Sequence, residues 1–304
     1  MAHFILQRLA HSAATALIVA MLAFGLARLA GDPVPLLMPS TATNEDIEFF
    51  RRQLGLDKPI PQQFVTFIGN AVRGDFGSSF RYSVPAFDLV MSRVPATALL
   101  AFSALFLAAA IGIPLGILAA LRHGSISDQA IRWAATVGQA VPNFWFGLML
   151  ILVFAVSLRW LPTSGYGTGA QLIMPTVTLG LTTAAYITRI TRSSMMEVMQ
   201  ADFIKLQRLT GLPQRLIIWK HALRNASIPV VTLTALQLGA LLGGSVVTEV
   251  IFGWPGLGHL TVSAIMFRDF PVIQASVIVI AGFFLVVNFL TDISYRLLDA
   301  RVRL

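Results

Sequence analysis

The side chains best able to do chemistry lie together in residues 202–225, DFIKLQRLTGLPQRLIIWKHALRN. This polar island combines one carboxylate with several cations and hydrogen-bonding groups, and its candidate contact residues are Asp202, Lys205, Arg208, Gly211, His221, Arg224 and Asn225. Such groups form ion pairs with a partner protein, and the cations also bind anionic lipid headgroups. The residues alone therefore leave two explanations open, a shaped docking surface and a connector lying on the membrane surface.

Motifs for catalysis are absent from the sequence. The lysines at 58, 205 and 220 follow Asp, Ile and Trp, so none of them completes the Gly-Lys-Ser/Thr end of a phosphate-binding loop. Five histidines are scattered without the spacing of a metal site, cysteine is absent, and neither Gly-x-Ser-x-Gly nor His-Glu-x-x-His occurs. We therefore predict a chain that is not an enzyme and holds no cofactor or metal.

The polar island interrupts a chain built mostly from long apolar runs. Of its 304 residues, 56% are hydrophobic and only 12% are charged, which indicates an integral membrane protein. A membrane-crossing helix needs about 20 mostly apolar residues. Six runs qualify, at 9–30, 96–121, 133–158, 172–191, 228–252 and 272–295. We predict an all-α protein with six transmembrane helices, and we expect the first run to be retained because Arg28 disfavours signal cleavage after Ala30.

The lysines and arginines predict the orientation, because positive residues in short loops stay on the cytoplasmic side. With a cytoplasmic N-terminus, the inner loops hold most of them, including those of the polar island, whereas the short outer loops hold Arg28, Arg159 and Arg268. Both termini are then cytoplasmic. These loops account for the net charge of +8, so the charge gives no indication of nucleic-acid binding.

The predicted organisation has four parts. They are a cytoplasmic N-terminus with the first transmembrane helix (1–30), an extracytoplasmic segment with short helices (31–95), a five-helix core with a cytoplasmic loop at 192–227 (96–297), and a cytoplasmic tail (298–304). In the outer segment, Thr43 or Asn44 can cap a helix whose first turn is acidic. That segment is either a cap packed on the bundle or a docking surface for an external partner. The outer loops at 159–167 and 251–260 contain glycine and aromatic residues that suit tight turns in an aromatic belt, or a re-entrant gate.

Within the polar island, two residues predict a helix–turn–helix arrangement. Gly211 stands where a helix would end in a left-handed turn, and Pro213 suits the first position of the next helix. On the fifth run, Thr234, Gln237, Ser245 and Thr248 fall within an arc of about 80° on a continuous helix. These four residues are candidates for a translocation path, although hydrogen bonding between helices is the simpler explanation for any single one of them.

The whole chain resembles one transporter family. The stretch from Asp202-Phe203-Ile204-Lys205 through Gly211-Leu212 to His221-Ala222-Leu223-Arg224-Asn225 resembles the cytoplasmic "EAA" loop of ABC-importer permeases. The resemblance is greatest to first-permease subunits of the dipeptide/oligopeptide/nickel family. Further segments are similar to that family in the same order, namely QLGLDKPIPQQF, GDFGSSF, LPTSGYG, TRSSM, GGSVVTEVIFGWPGLG, RDFPVIQ and LLDARVR.

This resemblance implies a type I ABC-importer permease in the bacterial inner membrane that forms half of a pore for short peptides or a related solute. It also implies that residues 202–211 are a coupling helix. The implied partners are a second homologous permease, two cytoplasmic ATP-binding subunits that bind ATP and Mg²⁺, an extracytoplasmic solute-binding protein and membrane lipid. Nickel, glutathione or an oligosaccharide are alternative cargoes. An ion-coupled secondary transporter is a distant alternative, since Glu249 and Asp292 lie near the ends of their runs.

Overall fold

The computed structural model describes residues 2–29, 34, 38, 43–53 and 55–298, and the predicted all-α architecture is confirmed. Within these ranges the chain forms helices joined by turns, with one isolated β-bridge between Ser78 and Pro85. The tail from 299 to 304 and most of 30–42 lie outside the described residues. The helices are α1 (Ala2–Leu29), α2 (Asn44–Gln53), α3 (Ile60–Ala71), α4 (Ala86–Leu121), α5 (Ile126–Ala140), α6 (Asn143–Leu150, continued by a π-helical segment over Ile151–Ser157), α7 (Gly169–Gln200), α8 (Asp202–Leu209), α9 (Gln214–Leu216 and Leu223–Gly244, joined by a π-helical turn over Ile217–Ala222), α10 (Val246–Ile251), α11 (Leu257–Met266) and α12 (Phe270–Leu298).

Five of these helices are long and apolar enough to cross a membrane, and a sixth span exists if one bent pair is counted as a single crossing. The five segments are Leu6–Gly25, Ala86–Leu121, Gly169–Gln200, Gln214–Gly243 and Phe270–Thr291. The structure thus confirms five of the six predicted spans as single helices, and the remaining predicted span is a helix broken in two. The chain is a multi-pass membrane protein.

The predicted third span is not one straight helix. Residues Ile126–Ala140 and Asn143–Ser157 meet at an angle of 98°. Between them Val141 leaves the helical region, with φ −75° and ψ 122°. The cause is Pro142, because its ring clashes with the backbone of a preceding residue in helical conformation. Pro142 therefore breaks the helix within the predicted third span.

The predicted fifth span starts and ends earlier than its apolar run. Helix α9 begins at Gln214, directly after Pro213, so the second half of the polar island forms the first turns of a membrane-spanning helix. The helix ends at Gly244, and Ser245 separates it from the short helix α10. Pro213 occupies the position just before the first helical residue, one position earlier than predicted.

The described chain divides into two compact units. The first comprises Met1–Ala96 and Pro255–Leu285, and its core contains Phe76, Val90, Leu260 and Val272. All four side chains are buried. Burying apolar side chains of this size away from solvent is the main stabilising contribution to such a core.

Hydrogen bonds order the outer segment within this first unit. Thr43 caps α2, since the Asp46 amide donates to the Thr43 hydroxyl at 3.3 Å and the Thr43 amide donates to the Asp46 carboxylate at 3.0 Å. The buried Asp269 carboxylate accepts the Ser79 hydroxyl at 2.5 Å and the Arg81 amide at 3.3 Å. Of the two predicted caps, Thr43 and Asn44, the structure has Thr43, whereas a docking role for this segment stays a prediction.

The second unit comprises Thr97–Trp254 and Val286–Leu304, and α7 packs against most of its helices. Two glycines of α4 allow its backbone to approach α7 closely. A Cβ atom on Gly116 would lie 2.5 Å from the Thr191 Cβ, and one on Gly112 would lie 2.8 Å from the Ala184 carbonyl oxygen. Small residues four positions apart permit such contact between membrane helices. Helix α7 is thereby held in place where it leads into the polar island.

Candidate functional site

Helix α8 begins immediately after α7, across a single extended residue. Ala201 has φ −65° and ψ 148°, and its carbonyl accepts the Ile204 and Lys205 amides. Asp202 does not cap the helix with its side chain; its carboxylate instead accepts a hydrogen bond from the Lys205 ammonium at 2.8 Å. That hydrogen bond holds the pKa of Asp202 below its ordinary value. Both side chains are largely exposed, so the pair contributes little to stability and remains accessible to a partner.

Gly211 ends α8 in a left-handed conformation, as predicted from the sequence. Its φ is +76°, its amide donates to the Arg208 carbonyl at 3.1 Å, and the Leu212 amide donates to the Gln207 carbonyl at 3.2 Å. These two bonds form a Schellman motif, which satisfies carbonyls at the end of the helix. Pro213 follows and starts α9. The chain therefore reverses within a few residues between α8 and a membrane-spanning helix.

A buried apolar side chain holds α8 against the rest of its unit. Ile204 is fully buried and packs in one cluster with Ile117 of α4, Met195 of α7, and Ile217 and Ala222 of α9. The cluster thus joins α8 to three helices that contain membrane-spanning segments. Because buried apolar contacts resist displacement, α8 and these helices are expected to move together.

The opposite side of α8 exposes a series of large apolar side chains. Phe203, Leu206 and Leu209 are 41%, 61% and 85% exposed, respectively. Arg208 is also exposed, one turn after Ile204 and about 100° around the helix from Leu209. We call Phe203, Leu206 and Leu209 the outer face of α8. Contiguous exposed apolar side chains with adjoining charge are typical of a protein-binding surface, and a short helix of this kind fits a groove on a partner.

The other three candidates of the polar island, His221, Arg224 and Asn225, lie on α9. The Asn225 amide group donates to the His221 carbonyl at 2.7 Å, and Arg224 is exposed. The buried contacts that hold this part of α9 against the bundle are made by Ile217 and Ala222. Among the described residues, no group of three or more His, Cys, Asp or Glu side chains is placed to hold a metal ion.

The four candidates for a translocation path do not lie on one continuous helix. The arc assumed a continuous helix, whereas Ser245 separates α9 from α10. Ser245 and Thr248 are buried, and the Ser245 hydroxyl donates to the Glu249 carboxylate at 2.8 Å. Thr234 and Gln237 are half-buried on α9, and the Thr234 hydroxyl donates to the carbonyl one turn earlier. The premise of the arc is therefore wrong, and a solute-facing role stays a prediction for all four residues.

Glu249 joins three parts of the second unit and was not among the predicted site residues. Its carboxylate accepts hydrogen bonds from the hydroxyls of Thr97 on α4 and Ser245 before α10, each at 2.8 Å. Glu249 itself is fully buried. These contacts fasten the break in the fifth span to α4. The signal in the sequence was an acidic residue close to hydroxyl-bearing neighbours in an apolar run.

Asp128 is a second structural anchor that sequence reasoning missed. It is fully buried and accepts two hydrogen bonds from the Arg192 guanidinium, at 2.6 and 2.9 Å. The Gly124 amide donates to it at 3.0 Å, and the Arg132 guanidinium lies 3.6 Å away. The paired geometry fastens the start of α5 to α7. A signal was available, because Asp128 is the lone acidic residue in the basic stretch 122–132.

Comparison with known proteins gives two family matches that together span almost the whole chain. Residues 112–304 match the family described as "Binding-protein-dependent transport system inner membrane component". Residues 1–101 match the N-terminal family of the same transport-system membrane components. The first match alone covers more than half of the chain.

Curated relatives are similar over nearly their full lengths. A probable peptide ABC transporter permease protein of Sinorhizobium fredii is 38% identical over 309 residues, covering 99% of both chains. The oligopeptide transport system permease protein AppB of Bacillus subtilis is 40% identical over 314 residues, again covering 99% of both. The glutathione transport system permease protein GsiC of Escherichia coli K12 is 39% identical over 304 residues, covering 100% of this chain and 99% of the relative.

One solved structure shows the same fold at low sequence identity. It is the MetNI methionine ABC transporter in an inward-facing conformation, and the matched chain is 19% identical to this one with a TM-score of 0.55. The match covers 69% of this chain and 96% of the other. The predicted type I importer permease fold is therefore confirmed.

Proposed function

Because the chain belongs to the family of binding-protein-dependent transport system inner membrane components, we propose that it forms half of the translocation pathway of an ATP-driven ABC importer. The sequence has no phosphate-binding loop, so separate subunits would bind ATP and Mg²⁺ and hydrolyse the nucleotide. The chain would act as a permease in the bacterial inner membrane. Its partners would be a second homologous permease, two cytoplasmic ATP-binding subunits and an extracytoplasmic solute-binding protein.

The observation that carries this proposal is the two-sided character of α8. Ile204 buries one side of the helix among α4, α7 and α9, while Phe203, Leu206 and Leu209 are exposed on the outer face. An exposed apolar surface of this kind is unfavourable in water and becomes favourable when a partner covers it. We infer that an ATP-binding subunit covers the outer face of α8, with Arg208 available to an acidic group.

The same packing explains how movement would reach the membrane. A rigid-body displacement of the ATP-binding subunits would push on α8, and the cluster around Ile204 and Met195 would transmit it to the spanning helices. The Schellman turn at Gly211 would keep α8 from pivoting away from α9. Access to the pathway would then alternate between the two sides of the membrane.

We propose short peptides as the cargo. The curated relatives are described as permeases for peptides, oligopeptides and glutathione, which share peptide-like amide groups and carboxylates. Hydroxyl and amide side chains such as Thr234 and Gln237 suit a polar solute that must pass without tight binding. Glutathione, nickel and oligosaccharides remain alternatives that a competition assay can separate.

Uptake into right-side-out or reconstituted vesicles that carry the whole transporter, with ATP inside and the binding protein outside, tests this function. We expect accumulation of a radiolabelled dipeptide to require ATP, to persist when a protonophore collapses the proton gradient, and to be inhibited by excess unlabelled tripeptide. Excess nickel or maltotriose should leave it unchanged. Uptake that continues without ATP and stops with the protonophore would contradict the importer mechanism, whereas competition by nickel or maltotriose would contradict only the cargo.

A further inference from the structure

A basic groove lies between α5 and α7, away from the outer face of α8. Its volume is about 800 Å³, and its lining includes Arg132, Gln139, Tyr186, Arg189 and Arg192. Arg132 and Arg189 are exposed, whereas Arg192 is mostly covered by its contact with Asp128. Neither the coupling of α8 nor the translocation path accounts for this groove.

The groove offers hydrogen-bond donors and a surplus of positive charge. Three arginines stand against one carboxylate, that of Asp128, which is already bound by Arg192 and lies 3.6 Å from Arg132. The Arg189 guanidinium donates to the side-chain Oε1 of Gln139 at 2.7 Å, which directs the side-chain amide nitrogen of Gln139 the other way. That nitrogen is buried and has no hydrogen-bond partner. A ligand rich in acceptor oxygens and carrying negative charge fits these groups.

The faces of α5 indicate where such a ligand comes from. Arg132, Thr136 and Gln139 line the groove, and Asp128 lies on the adjacent buried side. On the face about 110° further round, Ile126, Trp133 and Val137 are exposed apolar residues, with Trp133 71% exposed. An exposed tryptophan beside a basic groove at the end of an apolar run is typical of the membrane–water interface. The distribution of lysines and arginines places this end of α7 on the cytoplasmic side.

We propose that the groove binds the phosphate of an anionic phospholipid from the cytoplasmic leaflet. Arg132 and Arg189 contact the phosphate, the Gln139 amide donates to one of its oxygens, and the acyl chains lie along Ile126, Trp133 and Val137. Basic pockets between membrane helices on this side suit anionic headgroups for electrostatic reasons. Bound in this way, the lipid would brace α5 against α7, the helix that leads directly into α8.

Lipid binding to the full chain purified in detergent tests the proposal. Native mass spectrometry would compare dioctanoyl phosphatidylglycerol with dioctanoyl phosphatidylcholine. We expect the wild-type chain to bind phosphatidylglycerol more tightly, Arg189→Gln to weaken that binding about fivefold, and Arg132→Gln with Arg189→Gln to weaken it about 25-fold. Arg215→Gln, a matched change of an exposed arginine on α9, should leave the affinity unchanged.

Two kinds of result would overturn the proposal. The first is a lack of specificity, seen either as equal affinity for the two lipids or as an equal loss of phosphatidylglycerol affinity in Arg189→Gln and Arg215→Gln. The second is saturable binding of alanyl-alanine that depends on Arg189 while phosphatidylglycerol shows no such dependence. That second result would assign the groove to the peptide pathway. Arg189 is exposed, so its single substitution gives a clear answer even if the double variant folds poorly.

Discussion

At the scale of single residues, α8 carries one apolar side chain that is buried in its own unit and others that are exposed to a partner. Ile204 is fully buried, whereas Leu209 in the same short helix is 85% exposed. The first fixes the helix to its unit and the second is available to a partner. Exposed leucine alone is common on protein surfaces, but here it adjoins Leu206 and Phe203 on a helix that follows directly from a membrane span.

Gly211 is the residue on which the turn after α8 depends most. Its φ of +76° costs a residue with a side chain about 1–2 kcal/mol, yet no atom lies within 4 Å of where a Cβ would stand. Substitution should therefore act through backbone strain and not through collision. We expect Gly211→Val to reduce ATP-dependent uptake about tenfold, while Gly211→Asn stays near wild type because asparagine tolerates this conformation.

The measurement is uptake in vesicles matched for the amount of permease by immunoblot. Both variants should reach the membrane in wild-type amounts, since the turn between α8 and α9 lies outside the membrane-spanning segments. Equal uptake by the valine and asparagine variants would show that the left-handed turn does not limit coupling.

At the scale of elements, the contact between α4 and α7 sets the position of α8. Gly112 and Gly116 let the two backbones approach, and the Asp128–Arg192 pair fastens α5 to the same helix. Helix α7 is therefore held from two sides before it leads into α8. A contact of this kind cannot accept even a methyl group without local separation of the helices.

We expect Gly116→Ala to lower the thermal midpoint of the detergent-purified chain by about 2–10 °C. The added Cβ would stand 2.5 Å from the Thr191 Cβ, and overpacking of this kind costs about 1–3 kcal/mol. Gly69→Ala in α3 is the matched control, because nothing lies within 4 Å of that position. The control should be neutral or slightly stabilising. Equal midpoints for the two variants would show that α4 and α7 are not closely packed in the membrane.

Hydrophobic run length predicted most of the membrane-spanning helices, because a membrane crossing requires about 20 apolar residues wherever it occurs. It could not predict the 98° bend at Val141 and Pro142, since prolines occur both in kinks and in breaks. It also placed the fifth span too late in the chain, because the polar residues after Pro213 obscured a helix that starts there. The predicted arc of four polar residues on the fifth span assumed one unbroken helix. That premise was wrong, because Ser245 separates α9 from α10, the helix that contains Thr248.

At the scale of the whole molecule, the chain is one subunit of a larger transporter. The resemblance to ABC-importer permeases is confirmed by the two family matches and by relatives at 38–40% identity. The residues of the polar island were predicted correctly as a helix, a glycine turn and a second helix. Its anchor, Ile204, could not be identified from the sequence, because burial depends on partners far away in the chain such as Ile117.

The central claim is that the ATP-binding subunit docks on the outer face of α8, and one pair of variants tests it most directly. Leu209→Asp places a charge on a side chain that is 85% exposed, and Val72→Asp places the same charge after α3, where the side chain is 83% exposed. Neither change disturbs a buried contact, so both proteins should fold and insert. The measurement is the amount of ATP-binding subunit that co-purifies with each tagged permease.

We predict that Leu209→Asp lowers this recovery at least about tenfold, because a desolvated aspartate in an apolar groove is strongly unfavourable, and that ATP-driven uptake falls with it. Val72→Asp should recover wild-type amounts of the subunit. Recovery of wild-type amounts by Leu209→Asp, with uptake intact, would contradict the assignment of α8 as the docking element.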